Sequence, residues 1–219
     1  MPYFYLELEL AMWNWFLAGG PVMWPLLLCS LVSLTVILER CLFWMKADVG
    51  RDRAISEKLL EDYRLGGPDW LPQPDGNKEA ANGAILKMLL SGLAHRNFSS
   101  SKAMEAVALD EIKKMRRGMN VLDTIITAAP MLGILGTVTG IITSFDMLGQ
   151  VGVDDPKAVV AGIAEALITT AAGLVISVAT VFPYNYFNAR IDDALDLFEH
   201  YGTRLEILDN AKTTKEPAA

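Results

Sequence analysis

One carboxyl group falls inside a long apolar segment, where a charge is unusual. Glu165 lies seven residues into the apolar segment 158–187, roughly 10 Å by helix rise. A carboxyl group at that depth is costly unless it faces protein or water, and such groups usually mark ion or proton pathways. Glu165 is therefore a candidate for proton handling. The alternative is a protonated carboxyl group that only hydrogen-bonds between helices.

Small and hydroxylated residues repeat at helical spacing in two apolar segments. The earlier segment has Gly133, Thr137, Gly140 and Ser144, and the later has Gly162, Ala166, Thr170, Gly173 and Ser177. Residues three and four apart share one face of a helix. Two interpretations stay open: close packing of helices in a bilayer, or a polar lining along which Thr137, Thr170 and Thr169, one turn after Glu165, assist ion passage.

Three helices are expected to position these residues. Hydrophobic residues make up 52% of the 219 residues and charged residues 21%. The apolar residues concentrate at 22–45, 121–148 and 158–187, and each segment exceeds the ~20 residues that cross a bilayer as a helix. We therefore predict an all-α integral membrane protein with three transmembrane helices.

The remaining segments have other compositions. Residues 1–21 are rich in aromatic side chains, which favours a periplasmic segment at the membrane interface. Residues 46–120 are predicted to be a cytoplasmic helical region, with a helix at 51–65, a loop at 66–76, and a helix that is capped by Ser99–Ser101 and runs without a break into the second span. We further predict a periplasmic loop at 149–157, a cytoplasmic helix at 188–210 and a disordered tail at 211–219.

The distribution of basic residues predicts the orientation. Of the 19 Lys and Arg residues, 13 fall within 46–117, four follow the third span, and none precedes residue 22. By the positive-inside rule, the 46–120 region and the C-terminus are cytoplasmic and the N-terminus is outside. Glu39 and Arg40, an acid and a base at the inner end of the first span, are interpreted as an interfacial anchor.

Several functional classes find no support in the residues. Cys29, Cys41, His95 and His200 do not form a metal-ligand cluster, so neither a metal nor another cofactor is expected. No nucleic-acid partner is expected: the net charge of −7 would disfavour one in a soluble protein, although in a membrane protein the distribution of charge matters more than the sum. The glycines at 133–140 are not followed by the lysine of a phosphate-binding loop. We expect no catalytic residues and no enzyme activity.

Two sequence stretches carry a family resemblance. Residues 129–145 read APMLGILGTVTGIITSF, and residues 162–174 read GIAEALITTAAGL, followed by YNYF at 184–187. These resemble the two signature helices of the MotA/TolQ/ExbB proton channel family. The similarity covers residues 100–192, and WPLLL to ILER at 24–40 is a weaker extension. Three spans and the short connection at 149–158 resemble the ExbB and TolQ branch, and the GTVTG and EALITTA strings are more similar to ExbB.

The resemblance implies a motor in the bacterial inner membrane. Its members form homo-oligomers, typically pentamers, whose second and third spans line a pore. The pore holds two copies of an ExbD/TolR-like single-span partner whose Asp carries the proton. Proton motive force then drives a TonB-like protein for outer-membrane transport. Thr137, Glu165 and Thr170 fall on the family's pore-lining polar positions.

Some features leave alternatives open. Many relatives have Ala-Pro where this chain has Val160-Ala161, and many place a Pro about three residues before the position of Pro183, so bends in the third helix are not predicted. A TolQ-like subunit for envelope integrity, or another proton-driven motor, is the alternative within the family. A passive membrane scaffold, in which both stripes of small residues only pack helices, is the alternative from another class.

Overall fold

In the computed structural model of the protein, the described residues are 16–46, 49–65, 83–96, 99–151 and 156–213. Helices with defined bounds account for most of them, as the sequence predicts. They are α1 (Met23–Lys46), α2 (Val49–Arg64), α3 (Ala84–Ala94), α4 (Ser100–Met115), α5 (Met119–Val151) and α6 (Pro156–Thr213).

Three of these helices are long and apolar enough to cross a membrane. The qualifying stretches are Met23–Lys46, Met119–Met147 and Val160–Ala211. The prediction of an all-α chain with three such helices is therefore confirmed. The third stretch continues past residue 187 because α6 is one helix of 58 residues with Pro183 inside it. The predicted boundary between a span and a separate C-terminal helix consequently falls within α6.

Parts of the remaining segments lie outside the described residues. These are residues 1–15 of the N-terminal segment, the loop predicted at 66–76, residues 152–155 of the predicted periplasmic loop, and residues 214–219 of the predicted tail. The helix α6 extends three residues into the segment 211–219, to Thr213.

The predicted continuous helix from Lys102 into the second span is wrong. The helix α4 ends at Met115, a turn follows, and α5 begins at Met119. Gly118 has a φ of 79°, in the left-handed region that glycine adopts far more easily than other residues. A Cβ atom at this position would lie 2.8 Å from Cγ1 of Val36. The sequence does place the start of α4 correctly, but the Ser99 side chain makes no capping hydrogen bond.

The chain divides into two compact units, Met1–Glu39 with Gly118–Tyr186, and Arg40–Arg117 with Phe187–Ala219. In the first unit, α1 packs against α5 and α6. Its buried centre is Leu26, Ile125 and Ala129, with partly buried residues around it on all three helices, among them Met23, Cys29, Leu132, Ala172 and Ile176. Apolar residues on three helices thus enclose one narrow core.

In the second unit, Arg40 is only 2% exposed. Its Nη1 donates hydrogen bonds to the carbonyl oxygens of Lys114 at 2.9 Å and Met115 at 3.2 Å, and its guanidinium lies 4.8 Å from the ring centroid of Phe43. The guanidinium therefore satisfies carbonyl groups at the C-terminal end of α4, where a helix lacks its own donors. The interfacial-anchor interpretation of Glu39 and Arg40 stays a prediction, and the contacts of Arg40 give it a second role in capping α4.

The second unit also holds a buried carboxylate at a helix start. Asp52 on α2 accepts hydrogen bonds from the backbone N–H groups of Ile85 at 2.9 Å and Leu86 at 3.2 Å. These are two of the N–H groups that α3 cannot satisfy within itself. Burial raises the pKa of Asp52 above its ordinary value of 3.8, while the hydrogen bonds from α3 oppose that rise. Asp52 thus fixes the start of α3 from a neighbouring helix.

Replacing Asp52 with alanine should lower the free energy of unfolding by ~1–2 kcal/mol, because two buried N–H groups lose their acceptor. Glu61→Ala is the control: Glu61 is 56% exposed and lies 3.8 Å from Arg64, so its loss should change stability by less than about 0.5 kcal/mol. Denaturation of the detergent-solubilised chain, followed by circular dichroism, measures both. Equal effects of the two variants would contradict the capping role.

Candidate functional site

The helices α5 and α6 run antiparallel along the two stripes of small residues. Ser177 Oγ donates a hydrogen bond to the carbonyl oxygen of Ile126 at 2.7 Å, and Thr170 Oγ1 donates to that of Gly133 at 3.0 Å. Farther along α5, Gly140 approaches Gly162. Residue numbers fall along α6 as they rise along α5, so the helices are antiparallel. We call this contact the α5–α6 seam.

The backbones of α5 and α6 touch along the seam. A Cβ atom on Gly133 would lie 3.0 Å from Cα of Thr170, and one on Gly140 would lie 2.9 Å from the carbonyl oxygen of Gly162. A Cβ atom on Gly173 would collide with the carbonyl oxygen of Ala129. Glycine is therefore required for the approach, as the packing interpretation of the stripes predicts.

Other small residues of the stripes are also buried there. Ala166 and Ser144 are 1% and 3% exposed, and Ser144 Oγ donates to the carbonyl oxygen of Gly140 at 2.8 Å. A Cβ atom on Gly162 would collide with Ser144 Oγ. The two stripes selected from the sequence thus meet along a single seam.

Two hydroxyl groups meet across the seam. Thr137 Oγ1 and Thr170 Oγ1 are 3.3 Å apart, and either could be the donor, but the hydroxyl that donates to the other gives up the proton it shares with a backbone carbonyl. Thr137 Oγ1 also lies 2.7 Å from the carbonyl oxygen of Ile134, to which it donates. Both side chains are half-buried. A hydroxyl group both donates and accepts hydrogen bonds, so this pair can solvate a passing ion or water without taking up charge itself.

Thr169 occupies a different position from Thr137 and Thr170. It is 1% exposed, and its hydroxyl donates to the carbonyl oxygen of Ala166 at 2.9 Å, within α6. A Cβ atom on Gly136 would collide with this side chain. Gly136 was missed in the sequence, although its spacing of three from Gly133 and four from Gly140 is a helical signal. Thr169 and Gly136 therefore contribute close packing to the seam.

Glu165 lies apart from the threonine pair. A step of five residues along an α-helix is a rotation of about 140°. The side chains of Glu165 and Thr170 therefore lie on different sides of α6. The half-buried Glu165 side chain instead contacts Gly20, where an added Cβ atom would collide with Oε1. Gly20 was also missed, because the Gly-Gly-Pro string at residues 19–21 indicates only a break between the N-terminal segment and the first span. The structure therefore brings Thr137 and Thr170 together but places Glu165 on another flank of α6.

Large apolar side chains cover the faces of α5 and α6 away from the seam. The exposed fractions of Met131, Ile134, Leu167 and Val175 are between 58% and 68%. Exposed apolar surface of this extent on helices long enough to span a bilayer requires lipid or protein around it.

Comparisons with known proteins place this arrangement in a family. Residues 79–200 match the MotA/TolQ/ExbB proton channel family. A Synechocystis protein, biopolymer transport protein ExbB-like 1, is 36% identical over 199 residues, which are 88% of this chain and 77% of that protein. An ExbB homolog of Methanothermobacter thermautotrophicus is 33% identical over 185 residues, 84% of this chain and 65% of that protein.

A more distant relative supports the same branch. The biopolymer transport protein exbB1 of Vibrio cholerae is 26% identical over 185 residues, 83% of this chain and 81% of that protein. The family match at residues 79–200 includes both stripes, and the chain has three helices long and apolar enough to span a membrane. The chain therefore belongs to the MotA/TolQ/ExbB proton channel family, in its ExbB-like branch.

Proposed function

We propose that this chain is the channel-forming subunit of an ExbB–ExbD type motor in the bacterial inner membrane. The motor uses the proton motive force to energise a TonB-like protein for outer-membrane transport. Relatives described as ExbB biopolymer transport proteins support the branch. Moving one proton through a membrane potential of 100 mV releases about 2.3 kcal/mol.

The hydroxyl pair of Thr137 and Thr170 is the observation that carries this proposal. Two hydroxyl groups 3.3 Å apart lie in the α5–α6 seam beside Gly133, where the two backbones touch. Packing alone would be satisfied by alanine at these positions. The larger threonines place polar groups at one level of both helices, where a partner's proton-carrying carboxyl group can be solvated.

Assembly with other chains is part of the proposal. The exposed apolar faces of α5 and α6 suit contact with neighbouring copies and with an inserted single-span helix, and those of α1 suit contact with membrane lipids. We propose a homopentamer around a dimer of an ExbD/TolR-like partner that carries the titrating Asp. Glu165 then supplies polarity near one end of the pathway rather than acting as the sole carrier.

The orientation follows from the distribution of basic residues, with the N-terminus outside and the C-terminus in the cytoplasm. In a chain without Cys29 and Cys41, a cysteine introduced at position 7 or 154 should react from outside with an impermeant thiol reagent, and one at position 75 should not. Labelling of position 75 in intact spheroplasts would reverse the proposed orientation.

A test of the motor itself omits one component at a time. Cells that lack their own ExbB and TolQ systems receive this chain, an ExbD-like partner and a TonB-like protein, and uptake through a TonB-dependent receptor is measured. We expect uptake only with all three and its loss after collapse of the proton motive force. The TolQ-like alternative is correct if this chain restores envelope integrity when it is expressed with a TolR-like partner and a Tol-like protein, and restores no uptake when it is expressed with the ExbD-like partner and the TonB-like protein.

A passive scaffold is the second candidate, and the close approach of α5 and α6 favours it. Gly133, Gly140 and Gly173 would each meet backbone atoms of the facing helix if they carried a Cβ atom. Such contacts explain the stripes without ion passage. A scaffold tolerates changes at Thr137 and Glu165 that preserve packing, whereas a channel does not.

A further inference from the structure

A tight turn precedes α1, and we call residues 16–22 the glycine turn. The N–H of Gly19 donates to the carbonyl oxygen of Phe16, that of Gly20 to Leu17, both at 3.3 Å, and that of Met23 to Gly20 at 3.2 Å. Gly20 has a φ of 66°, which side chains other than glycine and asparagine rarely adopt. The chain therefore reverses here into the first turn of α1.

The glycine turn covers one flank of α6. A Cβ atom on Gly20 would collide with Oε1 of Glu165 and lie 2.6 Å from its Cδ, and a Cβ atom on Gly19 would lie 3.2 Å from Cγ2 of Ile168. Residues 165 and 168 are one helical turn apart and share a face. The carboxyl end of Glu165 thus lies directly against the backbone of Gly20.

The Glu165 carboxyl group makes no hydrogen bond or ion pair with any other residue in the described ranges of the chain. Its position is then set by the atoms that surround it, among them those of the glycine turn. Glu165 is half-buried although it ends in a polar group that favours water. Removing the cover would let the carboxyl group move and become more accessible.

We propose that Gly20 is a positioning residue for Glu165. The missing side chain of Gly20 leaves the space that the carboxyl group occupies, and the left-handed φ brings the turn over it. The glycine turn thereby limits access to Glu165 from its end of α6. The relevance of this contact to energy transduction rests on the proposed function, but the contact itself does not.

The test compares Gly20→Asn with wild type. Asparagine accepts a left-handed φ, so the turn can persist, but its Cβ atom must displace the Glu165 carboxyl group. The readout is the rate at which dicyclohexylcarbodiimide modifies Glu165 in the assembled complex in lipid vesicles. The protonated carboxyl group adds to the reagent and gives an N-acylurea that retains all atoms of both, and mass spectrometry of the Glu165 peptide measures it.

We expect Gly20→Asn to speed this labelling by about tenfold, because the displaced carboxyl group leaves the cover of the glycine turn and shifts toward positions that the reagent can reach. Gly149→Asn is the matched control, since a Cβ atom on Gly149 would have nothing within 4 Å, and its rate should equal that of wild type. An unchanged or slower rate in Gly20→Asn would overturn the proposal.

If Gly20→Asn fails to assemble, a second variant tests the proposal. Glu165→Asp shortens the side chain by one methylene and leaves room for the new Cβ atom, so Gly20→Asn combined with Glu165→Asp should regain assembly. No recovery would overturn the proposal. The labelling reaction does not depend on energy transduction, so it tests the positioning by Gly20 separately from the proposed function. If Glu165→Gln transports fully, the proposed role of Glu165 is rejected. If Gly20→Asn is nevertheless labelled faster, the positioning by Gly20 remains valid.

Discussion

Thr137→Leu should give an assembled complex that no longer supports TonB-dependent uptake. Thr137 Oγ1 lies 3.3 Å from Thr170 Oγ1, and leucine replaces that hydroxyl group with a bulkier apolar branch. Added volume in a packed site costs ~1–3 kcal/mol, which we expect the proposed oligomer to tolerate, whereas loss of the polar contact should remove solvation from the proposed pathway. Native mass and uptake, measured on the same preparation, report assembly and function separately.

Thr139→Leu is the matched control for this variant. Thr139 is exposed on α5, and its hydroxyl donates only to its own helix among the described contacts, to the carbonyl oxygens of Leu135 and Gly136, both at 3.0 Å. A step of two residues along an α-helix is a rotation of about 200°. Thr139→Leu therefore makes the same substitution on the opposite face of α5 from Thr137. Normal uptake by Thr137→Leu would remove this threonine from the pathway, and equal defects in both variants would indicate a general effect of leucine on α5.

Glu165→Gln should leave the mass of the oligomer unchanged and strongly reduce energy transduction, and Glu165→Ala should be at least as defective. Glutamine keeps the shape and hydrogen bonding of the side chain but cannot take up or release a proton, so it tests whether ionisation of Glu165 is needed for transport. The scaffold candidate predicts instead that glutamine substitutes freely. Partner-dependent uptake, normalised to assembled complex, distinguishes the two.

Glu61→Gln provides the comparison for loss of one negative charge elsewhere. Glu61 is 56% exposed on α2, outside the three apolar stretches, and its variant should transport as wild type does. Wild-type uptake by Glu165→Gln in an intact complex would show that ionisation of Glu165 is dispensable and would leave Thr137 and Thr170 as the candidates.

The sequence predicted the two stripes of small residues because their signal is periodic, but it did not predict that the stripes contact each other within one chain. Small residues at intervals of three and four define a helix face, and two such faces on apolar helices can pack closely against each other. Thr137 and Thr170 were therefore found before their 3.3 Å contact was known. The relation between Glu165 and Gly20 could not be found this way, since residues 145 positions apart in the chain share no periodic pattern.

The break at Gly118 shows a second limit. A single glycine costs a helix only about 1 kcal/mol, which favours a continuous helix when no tertiary contact is known. The left-handed φ of 79° and the donors supplied by Arg40 to the last carbonyl groups of α4 make the turn favourable. Those donors come from a residue 74 positions away, so the local sequence around Gly118 does not reveal them.

The most direct test of a proton pathway is proton uptake into vesicles that contain only this chain and its ExbD-like partner. A potassium gradient with valinomycin imposes a membrane potential, and a pH-sensitive dye inside the vesicles reports proton entry. We predict uptake by the wild-type complex, little uptake when the partner lacks its Asp, and a strong reduction in both Glu165→Gln and Thr137→Leu. Undiminished proton uptake by a complex that carries both substitutions would contradict the proposed pathway.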